Sequence, residues 1–297
     1  MSTSALVVAA ALCVAGALGG CSPLAAVNAV SPAGQARVTS DLRYAPGNRR
    51  LLDIYQPAAG IANAPVIVFL YGGNWVSGER KDYAFVGRAL AARGFVVVIP
   101  DYRLYPEVRY PDFLDDAAQA LAWTGRSIGA YGGDPGKLFV MGHSAGAYNA
   151  AMLALDERWL GKQGSSPGML RGWIGLAGPY DFLPVTNLTT RPVFGYPGTP
   201  PDSQPVNHVS ANAPPALLIA ANSDNLVNPV RNTGGLAARL RSARVPVQEI
   251  YYDGVSHATL VASLSASLRA LAPTLDAVEA FVRSDGARRP GAGTPGR

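Results

Sequence analysis

One serine in this chain stands where a hydroxyl could become a nucleophile. Ser144 lies at the centre of Gly142-His143-Ser144-Ala145-Gly146, a G-x-S-x-G pattern. The pattern gains weight from its flanks: an apolar run, Leu138 to Met141, leads in, and an Ala-rich helical stretch, Ala145 to Leu155, leads out. A serine on a tight strand-to-helix turn is lifted clear of a sheet, and the helix start favours negative charge beside it. Small residues at 142 and 146 let strand and helix approach closely. The chemistry this could support is attack on a carbonyl carbon, which needs a base and donors for the developing oxyanion.

The chain holds three histidines from which to draw the base. His143 adjoins the serine, so its side chain is expected to point elsewhere and pack. His208 falls in an irregular stretch, and His257 follows an apolar run in the turn Asp253-Gly254-Val255-Ser256-His257. An order of serine, acid, histidine along the chain favours His257 over His208. Asp224, just after the run Ala216 to Ala221, is the expected acid. Asp181 is its rival one strand earlier, and Asp253 reads as a turn residue. Tyr71-Gly72-Gly73-Asn74-Trp75 follows another apolar run. Backbone N–H groups of Gly73 and Asn74, with that of Ala145, are the expected oxyanion donors. Trp75 and Tyr180 are the candidate substrate contacts.

Such a constellation needs a rigid frame, and the rest of the chain describes one. Continuous β-branched and apolar runs at Pro65–Tyr71, Phe95–Pro100, Lys137–Met141, Trp173–Ala177 and Ala216–Ala221 predict strands buried on both faces. Arg50–Gln56 and Val247–Tyr252 predict two more. Between them, helical spacing covers Tyr83–Arg93, Asp112–Thr124, Ala145–Leu155, Val230–Ser242 and Leu260–Arg283, the last broken at Pro273. Alternating strands and helices predict an α/β fold with a mostly parallel sheet covered on both faces. The irregular Pro/Gly-rich stretch Tyr180–Pro215 reads as a small cap-like insertion over the site.

Here the chain resembles the carboxylesterase branch of the α/β-hydrolase fold, near the hormone-sensitive-lipase-like, kynurenine-formamidase-like and feruloyl/acetyl-esterase-like groups. Asp101-Tyr102-Arg103-Leu104, Tyr131-Gly132-Gly133-Asp134-Pro135 and Ser144-Ala145-Gly146 carry the resemblance, over roughly residues 39–284. It implies the triad Ser144, Asp224 and His257, and acyl-enzyme hydrolysis of short-chain or carbohydrate-linked esters. The resemblance has His where this chain has Tyr71. Asp101, Arg103 and Asp134 are read as structural. The alternatives are an arylformamidase-like amidase and a silent exported binding protein.

Composition narrows the remaining classes. The formal charge of +5 is spread out, with no basic stripe of the kind a nucleic-acid binder presents. Both cysteines, Cys13 and Cys21, precede the domain, so it has no disulfide and no thiolate metal site. No cofactor loop is found in strand–helix context, and neither metal nor cofactor is expected. The apolar run Ala5–Leu18 is shorter than the ~20 residues a membrane span needs and suits a signal peptide over residues 1–20. Leu18-Gly19-Gly20-Cys21 resembles a bacterial lipobox, which implies lipidation at Cys21, membrane anchoring and a cell-envelope location. Periplasmic or secreted export is the alternative. Residues 21–38 read as a flexible tether and 285–297 as a disordered tail.

Overall fold

The computed structural model describes Val27, Asn28, Ser31 and residues 36–286. The expected signal segment and Cys21 lie outside the described residues, as do the tail residues beyond Gly286. The strands are β1 (Ala36–Arg43), β2 (Leu51–Pro57), β3 (Ala64–Leu70), β4 (Val96–Pro100), β5 (Gly133–His143), β6 (Leu170–Leu176), β7 (Ala216–Ala221) and β8 (Val247–Tyr252). They form one eight-stranded sheet in the order β1-β2-β4-β3-β5-β6-β7-β8. β2 pairs antiparallel with β1 and β4, and every other pairing is parallel. The mostly parallel sheet is the one the alternation of elements predicts, and the fold is the α/β-hydrolase fold that the resemblance implies.

The central strands are buried because their sequences leave no polar face. Val66, Ile67, Val68, Phe69 and Leu70 of β3 are all fully buried, as are Val96 to Ile99 of β4. Helices cover both faces of such strands. They are α1 (Ala84–Ala91), α2 (Asp112–Ser127), α3 (Ala145–Leu155), α4 (Glu157–Gly161), α5 (Gly235–Ser242), α6 (His257–Ala262) and α7 (Thr274–Arg283). Every residue of α3 is buried, and its alanines let it lie close against β5 and β6.

Four expectations need correction. Residues 36–38, read as the end of the tether, belong to β1, an edge strand whose residues stay largely exposed. Its polar sequence carries no apolar signal, and the ladder to β2 holds it. Nor are all earlier residues loose. Val27 is buried, and the Asn28 side chain donates to the carbonyls of Lys81 (2.8 Å) and Asp82 (2.7 Å) and accepts from Phe85 N (2.8 Å). At the other end, Asp285 and Gly286 close the last turn of α7 through bonds to Val282 and Phe281 rather than joining a tail. The helical reading of Val230–Ser242 resolves into one wide turn, Val230–Gly234, before α5.

The insertion 180–215 forms no separate layer. Its two short 3-10 turns, Pro201–Ser203 and Pro205–Asn207, pack on α3, with Tyr148 Oη donating to Ser203 O at 2.7 Å. Phe182 and Phe194 enter an aromatic cluster with Trp75, Phe113 and Tyr148.

Candidate active site

The turn between β5 and α3 is strained at one residue. Ser144 has φ 55° and ψ −122°, a left-handed backbone that costs a non-glycine residue about 1–3 kcal/mol. Its amide donates to Leu176 O (2.9 Å) and its carbonyl receives Ala147 N and Tyr148 N, so both neighbouring elements hold the conformation. The flanking glycines are steric requirements. A Cβ on Gly146 would lie 2.0 Å from Leu70 O, and one on Gly142 would lie 2.1 Å from Gly146 O.

A second strained turn faces the first. Gly73 (φ 134°), Asn74 (φ 54°) and Trp75 (φ 59°) are consecutive left-handed residues. Val76 N and Ser77 N both bond to Gly73 O, closing the turn. The Trp75 indole donates to Asn149 Oδ1 on α3 at 3.0 Å, which ties this loop to the helix that starts beside Ser144. A Cβ at Gly72 would stand 2.9 Å from Ser144 Cβ, so the two turns touch.

The loops after β7 and β8 supply the polar pair. His257 Nδ1 lies 2.7 Å from Asp224 Oδ2, with both residues buried. A ring nitrogen this close to a carboxylate carries the proton, which leaves Nε2 as the basic atom. The other Asp224 oxygen accepts from Leu226 N (2.9 Å) and Val227 N (3.0 Å). Burial raises the Asp224 pKa, but the bond and charge of His257 and the two backbone donors outweigh it and hold the carboxyl below its usual range. His257 is fixed as the first residue of α6 by reciprocal capping between Ser256 and Thr259.

His143 packs as expected, and it also braces its neighbour. Its Nε2 meets His257 O at 3.0 Å, and the rings stand 4.9 Å apart. Burial, and secondarily the nearby His257, lower its pKa to about 3, so it is a neutral donor to that carbonyl.

Ser144, Ala145, Asn74 and Trp75 share a cavity of about 110 Å³ with Pro179, Phe182, Val185, Thr186, Asn187, Thr190, Leu226 and Val227. Of the expected donors, Gly73 lies one residue behind this lining. Trp75 lines the cavity and is almost wholly buried, with its indole in the aromatic cluster. Tyr180 does not reach the site. It is fully buried against Gly175, Gly178 and the Trp173 ring, because those glycines leave a slot for the phenol. Among the rivals, His208 bonds to Asp202 O (2.6 Å) and lines a different cavity beside Asp156. Asp181 pairs with Arg231 (2.9 Å), and Asp253 accepts from Asn222. Asp101, Arg103 and Asp134 all engage in structural bonds. Leu226 and Val227 carry no signal of this role beyond their place in the turn after Asp224, and Phe182, Val185 and Thr190 carry no local signal at all. Among the described residues no group of acids, histidines or cysteines is arranged to hold a metal, and no helix is long and apolar enough to cross a membrane.

A mostly parallel sheet, a serine on a strained strand-to-helix turn and an Asp–His pair beyond the later strands define the α/β-hydrolase fold with its site at the ends of the strands. The chain belongs to the BD-FAE family, whose model matches residues 52–240. It is similar to the probable carboxylic ester hydrolase LipM of Mycobacterium tuberculosis, at 32% identity over 74% of this chain and 54% of that one. It is also similar to the probable isoprenylcysteine alpha-carbonyl methylesterase ICME of rice, at 34% identity over 49% of this chain and 36% of that one. The chain thus spans between a third and just over half of the length of these curated relatives. Among solved structures, the monoclinic form of the Pyrobaculum calidifontis esterase superposes with a TM-score of 0.67 at 25% identity, over 89% of this chain and 88% of that one.

Proposed function

We propose that this protein is a serine carboxylesterase that works through an acyl-enzyme, with Ser144, His257 and Asp224 as its triad. The observation that carries the reading is the 2.7 Å contact between His257 Nδ1 and Asp224, whose loop lines the same cavity as Ser144. With Nδ1 engaged, His257 Nε2 takes the Ser144 proton as Oγ attacks the ester carbonyl. Backbone N–H groups of Ala145 and the Gly73–Asn74 turn receive the oxyanion. His257 then protonates the leaving alcohol, and a water activated by the same nitrogen releases the acid. The chemistry requires neither metal nor cofactor. Neutral His143 holds the backbone of His257 from below.

The cavity supports small acyl groups. About 110 Å³ is well under the roughly 300–1,000 Å³ of ordinary small-molecule sites. Short-chain acyl groups, including those carried on carbohydrate, fit this volume. The lipobox-like Leu18–Cys21 segment supports export and attachment to a membrane through Cys21; incorporation of labelled palmitate that Cys21→Ser abolishes would test that part.

The test uses a fluorophosphonate probe on the whole chain and on Ser144→Ala. Labelling of the parent alone, with a fall in kcat of order 10⁶ for Ser144→Ala on p-nitrophenyl acetate, is the expected result. A panel of esters of rising chain length should then favour acetyl and propionyl. An unlabelled, folded parent would reject the reading, and a preference for long acyl chains would reject the substrate class.

A further inference from the structure

The loop that carries Gly73 and Asn74 is held at both ends by a single side chain. Arg49 Nη2 donates to Tyr71 Oη (2.8 Å), where the loop begins, and to Gly78 O (2.5 Å), where it ends. Its Nε donates to Tyr102 O at 3.0 Å, which anchors the guanidinium to the segment after β4. Arg49 itself has φ 53°, so the chain accepts a strained backbone to aim this side chain inward. The contact is built on the loop side as well. The Tyr71 ring is fully buried between Tyr102 (centroids 4.6 Å) and Tyr83 (5.8 Å), both stacked. Tyr102 Oη donates to Tyr71 O (2.7 Å), and Gly72 N donates to Tyr83 Oη (3.3 Å). The Gly72 amide is thereby committed to the loop's own support, leaving the amides further along for substrate. Burial, followed by the charge of Asp101, keeps the Tyr71 phenol protonated well above its usual range despite Arg49. Tyr71 thus stands where the resemblance has histidine, with a phenol that reaches Arg49.

We propose that Arg49 is a positioning residue for oxyanion stabilisation, acting through Tyr71 and Gly78 to hold the Gly73–Asn74 amides where charge develops. The inference rests on the esterase reading above. Such a residue touches no substrate. Its loss leaves ground-state binding nearly intact and lowers the rate, because donors displaced by a fraction of an ångström no longer meet the transition state.

The test compares the whole chain with Arg49→Met, Tyr71→Phe and the double variant on p-nitrophenyl acetate. Inhibition by a short alkylboronic acid, which mimics the tetrahedral intermediate, and thermal midpoints are followed in parallel. Tyr71→Phe keeps the stacked ring and serves if Arg49→Met folds poorly. Expected are a fall in kcat of about 10²-fold for Arg49→Met, the size of a lost oxyanion donor, with KM within about 3-fold. Boronate affinity should fall in parallel with kcat. The double variant should lose no more than Arg49→Met, since both changes break one linkage. Methylguanidinium added to Arg49→Ala should restore part of kcat without restoring the thermal midpoint. An active parent whose Arg49 variants keep kcat and boronate affinity would overturn this inference alone, as would losses that multiply in the double variant. An inactive parent would overturn the esterase reading and this inference with it.

Discussion

His143 and His257 stand 4.9 Å apart, yet the structure gives them opposite electrostatic tasks. His257 faces a carboxylate, whereas His143 is buried and its ring meets only a carbonyl through Nε2. Burial first, then the neighbouring His257, take the His143 pKa from 6.5 to about 3. The unfolded chain therefore binds a proton below about pH 6.5 that the folded chain refuses down to about pH 3. Stability should fall across that window as pH drops. His143→Gln keeps a donor for His257 O but cannot titrate, so the loss of unfolding free energy between pH 7 and pH 4.5 should shrink in urea melts. An unchanged loss would assign it elsewhere. Asp224 acts in a lower window. Its folded pKa lies below the ordinary aspartate value of 3.8, so its stabilisation is present above that value and fades as pH falls through the folded pKa. Asp224→Asn probes function instead. Oδ1 can still accept from Leu226 N and Val227 N, which leaves an NH₂ group facing His257 Nδ1. The imidazole must then accept there and carry its proton on Nε2, the wrong tautomer for a base. A fall in kcat of about 10⁴-fold with little change in KM is expected from steady-state rates.

Among the elements, the strand–turn–helix unit β5–α3 decides whether the serine is presented at all. Gly146 lets α3 start against β3, and an added Cβ would meet Leu70 O at 2.0 Å and Tyr71 O at 2.5 Å. These are backbone atoms of the strand that feeds the Gly73 loop, so they have no rotamer to yield. Gly146→Ala should destabilise by about 1–3 kcal/mol in urea melts, in the range of overpacked cores, and should lower kcat as the two turns separate. A variant with parental stability and rate would show that the unit is looser than its contacts. This element was legible because its signals are local: an apolar run, glycines at fixed positions and an alanine-rich helix. The helical reading of Leu260–Arg283 held only at its two ends, with α6 stopping at Ala262 and turns running on to Pro273, whereas the seven strands from β2 to β8 were legible for the same reason. β1 was not. Ala36–Arg43 places mostly polar residues at a sheet edge, and it is a strand because β2 offers a ladder across the intervening turn, a partner that no local pattern announces. The cavity wall escaped for a related reason. Phe182, Val185 and Thr190 meet Ser144 only because the insertion folds back over α3. Tyr180 was misplaced because an aromatic at the head of an insertion looks available, while nothing local shows that Gly175 in β6 and Gly178 just after it leave a slot for its ring.

Across the whole molecule, one buried cation joins the antiparallel edge of the sheet to the active-site side. Arg80 is only 4% exposed and follows the Gly73 loop by a few residues. Its guanidinium pairs with Asp53 of β2 (2.9 Å), with Asp101 at the end of β4 and with Asp41 at the bulge of β1. Its own amide donates to Asp101 Oδ1 at 2.8 Å. Three strands and one loop thus share a single charge network, of which only Asp101 stands out in sequence, because an arginine in a loop such as Arg80 ordinarily lies in solvent. Asp53 and Asp101 are buried, at 3% and 4% exposure, so removing the cation leaves Asp53 with only the Asp41 amide (2.9 Å) and Asp101 with the amide of residue 80 (2.8 Å) and Arg49 at 3.9 Å to offset two buried charges. Asp41, by contrast, is mostly exposed and can be solvated. Arg80→Met should therefore cost about 3–5 kcal/mol, far more than a surface pair, and should be relieved when Asp53→Asn and Asp101→Asn remove the stranded charge. Asp41→Asn alone should cost less than about 1 kcal/mol. Urea midpoints of these variants separate the two possibilities. If Arg80→Met costs no more than Asp41→Asn, the network is a bystander, and β1 and β2 are held by their ladders and apolar contacts alone. If the graded pattern appears, the same arginine that fastens the sheet edge also fixes the chain leaving the Gly73 loop, and destabilising that edge should slow ester turnover well below the midpoint of unfolding.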